Sequence, residues 1–208
     1  MDKILWLEWA RALQAISQTG LHYTDNQYDR ERYEQIGKIS SEIIANHSNL
    51  TETQIVEFNT ADFGYATPKI DVRGVIFKDS KILLIREIAD QGRWTLPGGW
   101  ADVNETPSQA VIREVFEESG FETRVVKLLA VYDRDAQGHI PRLPYHVYKL
   151  FFLCKITGGS ARANHEASEI AFFAEDDFPE LSTSRVTEKQ LNRFFEHSKD
   201  LNLPTDFD

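Results

Sequence analysis

Cysteine is almost absent from this chain: Cys154 is the single one in 208 residues. One thiol excludes an intramolecular disulfide framework and a cysteine-based zinc site, and it suits a reducing compartment. Its place in the apolar run LFFLCKI reads as a small buried hydrophobe. No run approaches the ~18 apolar residues that a membrane-spanning helix needs. The opening MDKILWLEWARAL carries acids inside its apolar stretch and lacks a small-residue cleavage site. A soluble, cytoplasmic protein with no membrane partner is expected. Positive charge is also scarce, with 23 Lys+Arg against 33 Asp+Glu and a net charge of -10. Such a surface repels phosphate backbones, so DNA is not an expected partner, and a phosphate compound needs metal ions or a local basic pocket. Neither GxGxxG nor GxxxxGK[ST] occurs, which leaves a dinucleotide fold or a P-loop unsupported.

What is present supports a packed core: 41% of the residues are hydrophobic. Residues 2–19 have a helical pattern, with Leu5, Trp9, Ala12 and Ile16 as a stripe that Ile4, Trp6, Leu7, Ala10 and Leu13 widen, and Gly20 as a stop. A second helix is expected over 28–46, burying Tyr33, Ile36, Ile39, Ile43 and Ile44. Thr51 to Gln54 has the form of a capping box and starts a short third helix through Phe58. Three helices in some 60 residues are marginal alone, so this segment should dock on the next domain, on a second subunit, or on both.

Asn59 to Lys69 reads as a linker, whose Phe63 and Tyr65 either pack locally or line a nucleobase pocket. Strand patterns then begin. IDVRGVIF and KILLIRE flank a hairpin at Lys78-Asp79-Ser80, and Arg93 to Leu96 is a short strand ending at Pro97-Gly98-Gly99. Thr106 caps a helix that has Pro107 first, Gln109 completing a capping box and Gly120 as C-cap. Strands over Arg124–Tyr132, Tyr145–Ile156 and Glu169–Phe173 follow. An amphipathic helix from Thr187, with Leu191, Phe194 and Phe195 inward, comes last. Helices followed by β-β-loop-helix-β-β-β-helix imply an α+β or layered α/β plan with a mixed sheet.

The helix after Thr106 carries the chemistry. Glu114, Glu117 and Glu118 stand at i, i+3 and i+4 and project from one face. Their repulsion costs the helix a few tenths of a kcal/mol per pair, so a cation is expected there unless the face is simply solvated. Oxygen donors without histidine or cysteine suit Mg²⁺ or Mn²⁺ rather than zinc. The turn at Gly98 and Gly99 lets a carbonyl face a bound ion, and an Arg113–Glu105 ion pair would bind loop to helix.

Gly99, five residues, Glu105, seven residues, then Arg113-Glu114-Val115-Phe116-Glu117-Glu118-Ser119-Gly120 resembles the Nudix box, G-x5-E-x7-R-E-U-x-E-E-x-G-U. Every fixed position matches; Phe121 departs from the usual Ile, Leu or Val but stays apolar. The resemblance implies a layered α/β/α Nudix fold over 67–208, preceded by a small all-α domain over 1–66. It implies attack of water on the pyrophosphate of a nucleoside diphosphate linked to X. Glu114, Glu117 and Glu118 match the family's metal ligands, with the Gly98 carbonyl as a further ligand, and Glu105 and Arg113 match its structural pair. Many members add an acid from a later loop; here HEASEIAFF offers Glu166, preferred as the loop residue, or Glu169.

The helical segment before PKIDVRGVIF resembles bacterial hydrolases of X-linked nucleoside diphosphates, some of them CDP-choline pyrophosphatases that also trim RNA 3′ ends. CDP-choline is therefore the leading substrate, with ADP-ribose or a nucleotide sugar as runner-up and RNA ends as a further alternative. The family's ADP-ribose hydrolases carry a proline about 15 residues past the last box glycine; here that position is Asp135 and the nearest proline is Pro141. A choline group would seek aromatic faces, for which Trp100, Tyr132, Tyr145 and Tyr148 are candidates, and Arg134 and Arg142 are candidates for the phosphates. A ligand sensor that has lost catalysis is disfavoured because every box acid is kept. A homodimer through the apolar helical segment is expected.

Overall fold

The computed structural model describes residues 5–51, 54–55 and 64–208. The start of the first expected helix (2–4), most of the third and the linker through Phe63 lie outside them. Two compact units are present. One runs to Pro68 and takes in Leu143–His146; the other comprises Lys69–Arg142 and Val147–Asp208. No described helix is long and apolar enough to cross a membrane.

In the first unit, α1 spans Leu5–Tyr23 and α2 spans Gln27–His47. Asn26 caps α2, its side chain accepting from the amides of Tyr28 and Asp29. The two helices pack through small residues. Ser17 Oγ donates to Tyr33 O and Ser40 Oγ to Ala10 O, both at 2.8 Å. Arg11 Nη2 reaches the Leu143 carbonyl. Gly20 is not the stop that the sequence suggests: α1 continues through it to Tyr23, and the missing side chain makes room for the Tyr33 ring, which lies 2.4 Å from where a Cβ would sit.

The close seam also changes which face is buried. Leu7, Ala10 and Ser17 face inward. The central row of the expected stripe does not: Leu5 is 49%, Trp9 60% and Ile16 51% exposed, and Ala12 is exposed with them, so that only its widened edge at Leu7 and Ala10 is buried. Ile39 on α2 is likewise exposed, whereas Ile44 is buried. Small side chains win the seam because they let backbones approach, and the large apolar row is left exposed among the described residues. Of the third helix, the Thr51–Gln54 capping contacts are present, with Gln54 N donating to Thr51 Oγ1 at 3.3 Å.

The second unit is a mixed seven-stranded sheet. Its strands are β1 (Lys69–Lys78), β2 (Lys81–Glu87), β3 (Arg93–Thr95), β4 (Phe121–Asp133), β5 (Val147–Gly159), β6 (Ala167–Phe173) and β7 (Asp206–Phe207). The order is β3-β2-β1-β5-β4-β7, with β6 also paired to β2. β1 runs parallel to β5, and β4 parallel to β7; the other pairs are antiparallel. Asp79 and Ser80 turn the β1–β2 hairpin with φ of 51° and 59°, the geometry that matches strand twist in a two-residue turn.

Helix α3 (Pro107–Ser119) covers one face of the sheet over Val72, Ile76, Leu83 and Phe152. Helix α4 (Glu188–Lys199) covers the other, with Leu191, Phe194 and Phe195 packed against Val75, Leu84 and Phe151. Cys154 lies in the first cluster, and burial pushes its thiol up to about 12. The α+β expectation therefore holds. Strand limits moved: β4 begins directly after Gly120, β5 starts at Val147 and extends to Gly159, and β6 begins at Ala167. The two-residue β7 leaves no periodic trace in the sequence.

A capping box also fixes a buried histidine. Gln190 uses its Oε1 to accept from Thr187 N, so its Nε2 faces His139 Nε2 at 3.1 Å. That nitrogen must accept, and the imidazole is neutral with Nδ1–H donating to Thr183 O at 3.1 Å. Burial, then the charges of Lys149 and Arg134, pull His139 down to about 3. Between that value and the ordinary pKa of about 6.5, the unfolded chain binds a proton that the fold refuses, so stability falls with falling pH. Urea titrations should show wild type losing about 2 kcal/mol more than His139→Asn between pH 7 and pH 5. Parallel losses in the two proteins would remove the histidine from that account.

Candidate active site

The site forms where β1, the turn from Pro97 to Ala101 and α3 meet. Gly74 N donates to Pro97 O at 2.8 Å, Val72 N to Gly99 O at 2.8 Å, and Ala101 N to Ile70 O at 3.0 Å. The turn is thus fixed along β1, and Trp100 forms an antiparallel bridge with Asp71. Gly98 has φ of 141°, and a Cβ there would lie 2.1 Å from Val72 O, so no other residue fits. Its amide donates to Glu118 Oε2 at 2.6 Å. Its carbonyl takes no part in the ladder that uses those of Pro97 and Gly99.

Thr106 and Gln109 form both contacts of a capping box, Pro107 opens α3, and Gly120 closes it in the left-handed conformation. The helix presents its acids in graded depth. Glu118 is 6% exposed, Glu114 is largely buried, and Glu117 is half exposed. Arg113 is the hub of this face. It grips Glu105 through Nε at 2.8 Å and Nη2 at 2.9 Å, while Nη1 meets Glu114 at 2.8 Å and Glu117 at 3.1 Å. That pairing holds the Glu105 carboxyl below its ordinary value.

Burial pushes Glu118 up to about 8, against the opposing charge of Arg73 and the Gly98 amide. Burial also raises Glu114. Among the described residues no three acid or imidazole side chains are preassembled as a metal cage. Glu114 and Glu117 rest on Arg113, and Glu118 rests on the Gly98 amide. The donor set still suits a hard divalent ion: these are oxygens only, and burial disfavours the ionised forms of Glu114 and Glu118 in the absence of a counter-charge.

Behind the turn lies a buried charge cluster that sequence reasoning missed. Arg73 holds Asp71 with two bonds, at 2.9 and 2.7 Å, and donates to Leu96 O at 3.1 Å. Lys149 Nζ donates to Asp71 Oδ1 at 2.5 Å, from the residue opposite Asp71 in the β1–β5 register. Burial alone would raise Asp71, but Arg73 and Lys149 outweigh it and hold it well below the carboxylate range. Burial pulls Lys149 down against the attraction of Asp71. A signal was available: Asp71 and Arg73 stand at i and i+2 inside an otherwise apolar strand, on one face of it.

Glu166 sits in the loop before β6. Asn164 fastens that loop: its Oδ1 accepts from the amides of Glu166 and Ala167 at 2.8 and 2.7 Å, and its Nδ2 donates to Glu117 O at the end of α3. The Glu166 side chain is half exposed, 3.5 Å from His165. Glu169 lies within β6, exposed, 3.7 Å from Arg86.

The remaining candidates are dispersed. Trp100 is partly exposed beside the glycine turn. Arg134 is buried, with its guanidinium donating to Pro141 O at 2.8 Å and Ser184 O at 3.1 Å, so it braces main chain. Arg142 is half-buried at the end of the same segment. Tyr145 falls in Leu143–His146, which groups with the helical unit. The Tyr132 hydroxyl donates to Asp206 Oδ2 at 3.3 Å, and Tyr148 lies partly exposed on β5.

A family profile described as the NUDIX domain matches residues 67–194, and one described as a UDP-X-like, N-terminal oligomerisation domain matches residues 5–58. The chain is 41% identical over 203 residues to YjhB of Bacillus subtilis (strain 168), provisionally assigned as an ADP-ribose pyrophosphatase, covering 98% of this chain and 97% of that one. The crystal structure of a UDP-X diphosphatase superposes with a TM-score of 0.62 at 33% identity, over 100% of both chains. That of an ADP-ribose pyrophosphatase from Streptococcus suis 89-1591 gives 0.62 at 38% identity, covering 68% of this chain and 100% of the other. The chain belongs to the Nudix family, and it is a hydrolase of pyrophosphate bonds.

Proposed function

We propose that the substrate is a nucleoside diphosphate joined to a second group X, split into two monophosphates by water at the pyrophosphate. The observation that carries this is the Gly98–Glu118 contact at 2.6 Å, which places the glycine turn directly on the acidic face of α3. Glu114, Glu117, Glu118 and the Gly98 carbonyl would hold Mg²⁺ or Mn²⁺. Such ions, when bound, neutralise the phosphates and make water a better nucleophile. Arg113 spaces the acids and ties them to Glu105. Glu166, carried by a loop stapled to α3, takes the proton from the attacking water.

Two readings of X compete. The Bacillus subtilis and Streptococcus suis relatives favour ADP-ribose, despite the missing proline marker, although the structure matched over the whole chain is of a UDP-X diphosphatase. The helical domain's likeness to CDP-choline hydrolases keeps CDP-choline beside it, with Trp100 as the aromatic surface nearest the glycine turn. A panel of ADP-ribose, CDP-choline, nucleotide sugars, dinucleoside polyphosphates and short RNA, with product analysis, decides between them. Release of AMP with ribose 5-phosphate, or of CMP with phosphocholine, identifies X. Turnover of RNA alone, or of none of these, would overturn the proposal.

The exposed row Leu5, Trp9, Ala12 and Ile16 supports a second copy of this chain as partner. A dimer formed through it should dissociate in Trp9→Glu and Ile16→Glu variants, read by sedimentation velocity. An unchanged sedimentation coefficient in both would count against this face.

A further inference from the structure

Glu87, at the end of β2, is a carboxylate that the Nudix box does not contain. It is 7% exposed. A register shift between Ile85 and Glu87 breaks the regular pairing of β2 with β6 and sets Glu87 opposite Ala167, the neighbour of Glu166. The next amide, Ile88 N, donates to Glu166 O at 2.9 Å. The same loop is fastened to the end of α3 through Asn164. Three separate pieces of chain therefore converge, each carrying an acid: β2 brings Glu87, the loop brings Glu166, and α3 brings Glu118.

Among the described residues Glu87 pairs with Arg185, whose Nε lies 3.4 Å from Oε2. That contact is single-pronged and loose. The rest of the guanidinium is directed to Asp90 at 3.5 Å and to the hydroxyls of Ser182 and Ser184 at 3.3 and 3.2 Å. Asp90 in turn is held by Arg93 and Ser182. Arg185 would thus keep its place if Glu87 turned to another cation.

We propose that Glu87 is a further carboxylate of the divalent-ion site, with Arg185 as the cation that competes for it. This rests on the reading of Glu114, Glu117 and Glu118 as ion ligands. In a purely structural pair, loss of either partner would lower stability and leave ion binding alone. In the proposed arrangement the two substitutions act on ion binding with opposite signs.

The test is Mn²⁺ binding to the full-length chain, followed by the free-ion EPR signal, with thermal unfolding in parallel. Glu87→Gln should weaken Mn²⁺ binding by about tenfold or more. Arg185→Met should tighten it, and the tightening should vanish in the double variant, because it acts through Glu87. A Glu87→Gln isotherm that overlays wild type, or tightening by Arg185→Met that persists without Glu87, would overturn the proposal. Glu118→Gln serves as reference. If it too binds Mn²⁺ like wild type, the underlying ligand reading fails; if it alone loses the ion, only the role of Glu87 is lost.

Discussion

Replacing Glu118 by Gln is expected to lower kcat by about a thousandfold or more, on the order of 4 kcal/mol of transition-state stabilisation, while the protein stays folded. The amide keeps the size and an acceptor for the Gly98 amide, so the turn has no reason to move. What it removes is the charge at the most buried of the three α3 acids. Burial already pushes this carboxyl up to about 8, so its ionised form opposes the fold unless a cation accompanies it. A neutral substitute relieves that opposition, and the metal-free melting temperature should hold or rise. Turnover within tenfold of wild type at saturating Mg²⁺ would remove Glu118 from the ion site. A fall in melting temperature matching the fall in rate would assign it a structural role instead.

Asp71→Ala should cost about 3–5 kcal/mol of stability, because it strands Arg73 and Lys149 in the interior without their shared counter-charge. Urea unfolding reads this directly, and at this chain length the melting temperature should drop by roughly ten degrees. Lys149→Met should cost less. Burial already weakens the hold of that ammonium on its proton, and the Met side chain refills the space. Asp71→Asn, which keeps an acceptor for Arg73, provides a soluble intermediate should the alanine variant not accumulate. The ranking matters beyond stability, since Arg73 also anchors Leu96 beside the glycine turn. A cost below about 1 kcal/mol for Asp71→Ala would mean that water reaches the cluster and screens it.

The parts of the site that could be read from sequence share one property: they are local. The start and end of α3 follow from Thr106, Pro107, Gln109 and Gly120, each satisfying backbone groups within one turn. The common face of Glu114, Glu117 and Glu118 follows from helix pitch alone. The hairpin at Asp79-Ser80 was legible for the same reason. Gly20 misled because glycine serves two purposes. Here it makes room for the Tyr33 ring, and local sequence is no guide to which helix passes close by.

The sequence by itself determined the acidic helix, its caps, the glycine turn and the family to which they belong, since these depend on spacings of a few residues. Tertiary structure decided what periodicity leaves open. A helical stripe has a direction only once a neighbour is in place, so the small-residue seam of α1 and α2, not side-chain size, chose the buried face and turned Trp9 outward. Lys149 met Asp71 only because β1 and β5 pair in parallel with those residues opposite. Glu87 came beside the Glu166 loop through the shifted register of β2 and β6. Arg134 was drawn inside by the carbonyls of Pro141 and Ser184. Each of these depends on contacts between residues far apart in the chain, where burial and pairing outweigh anything that neighbours in sequence prescribe.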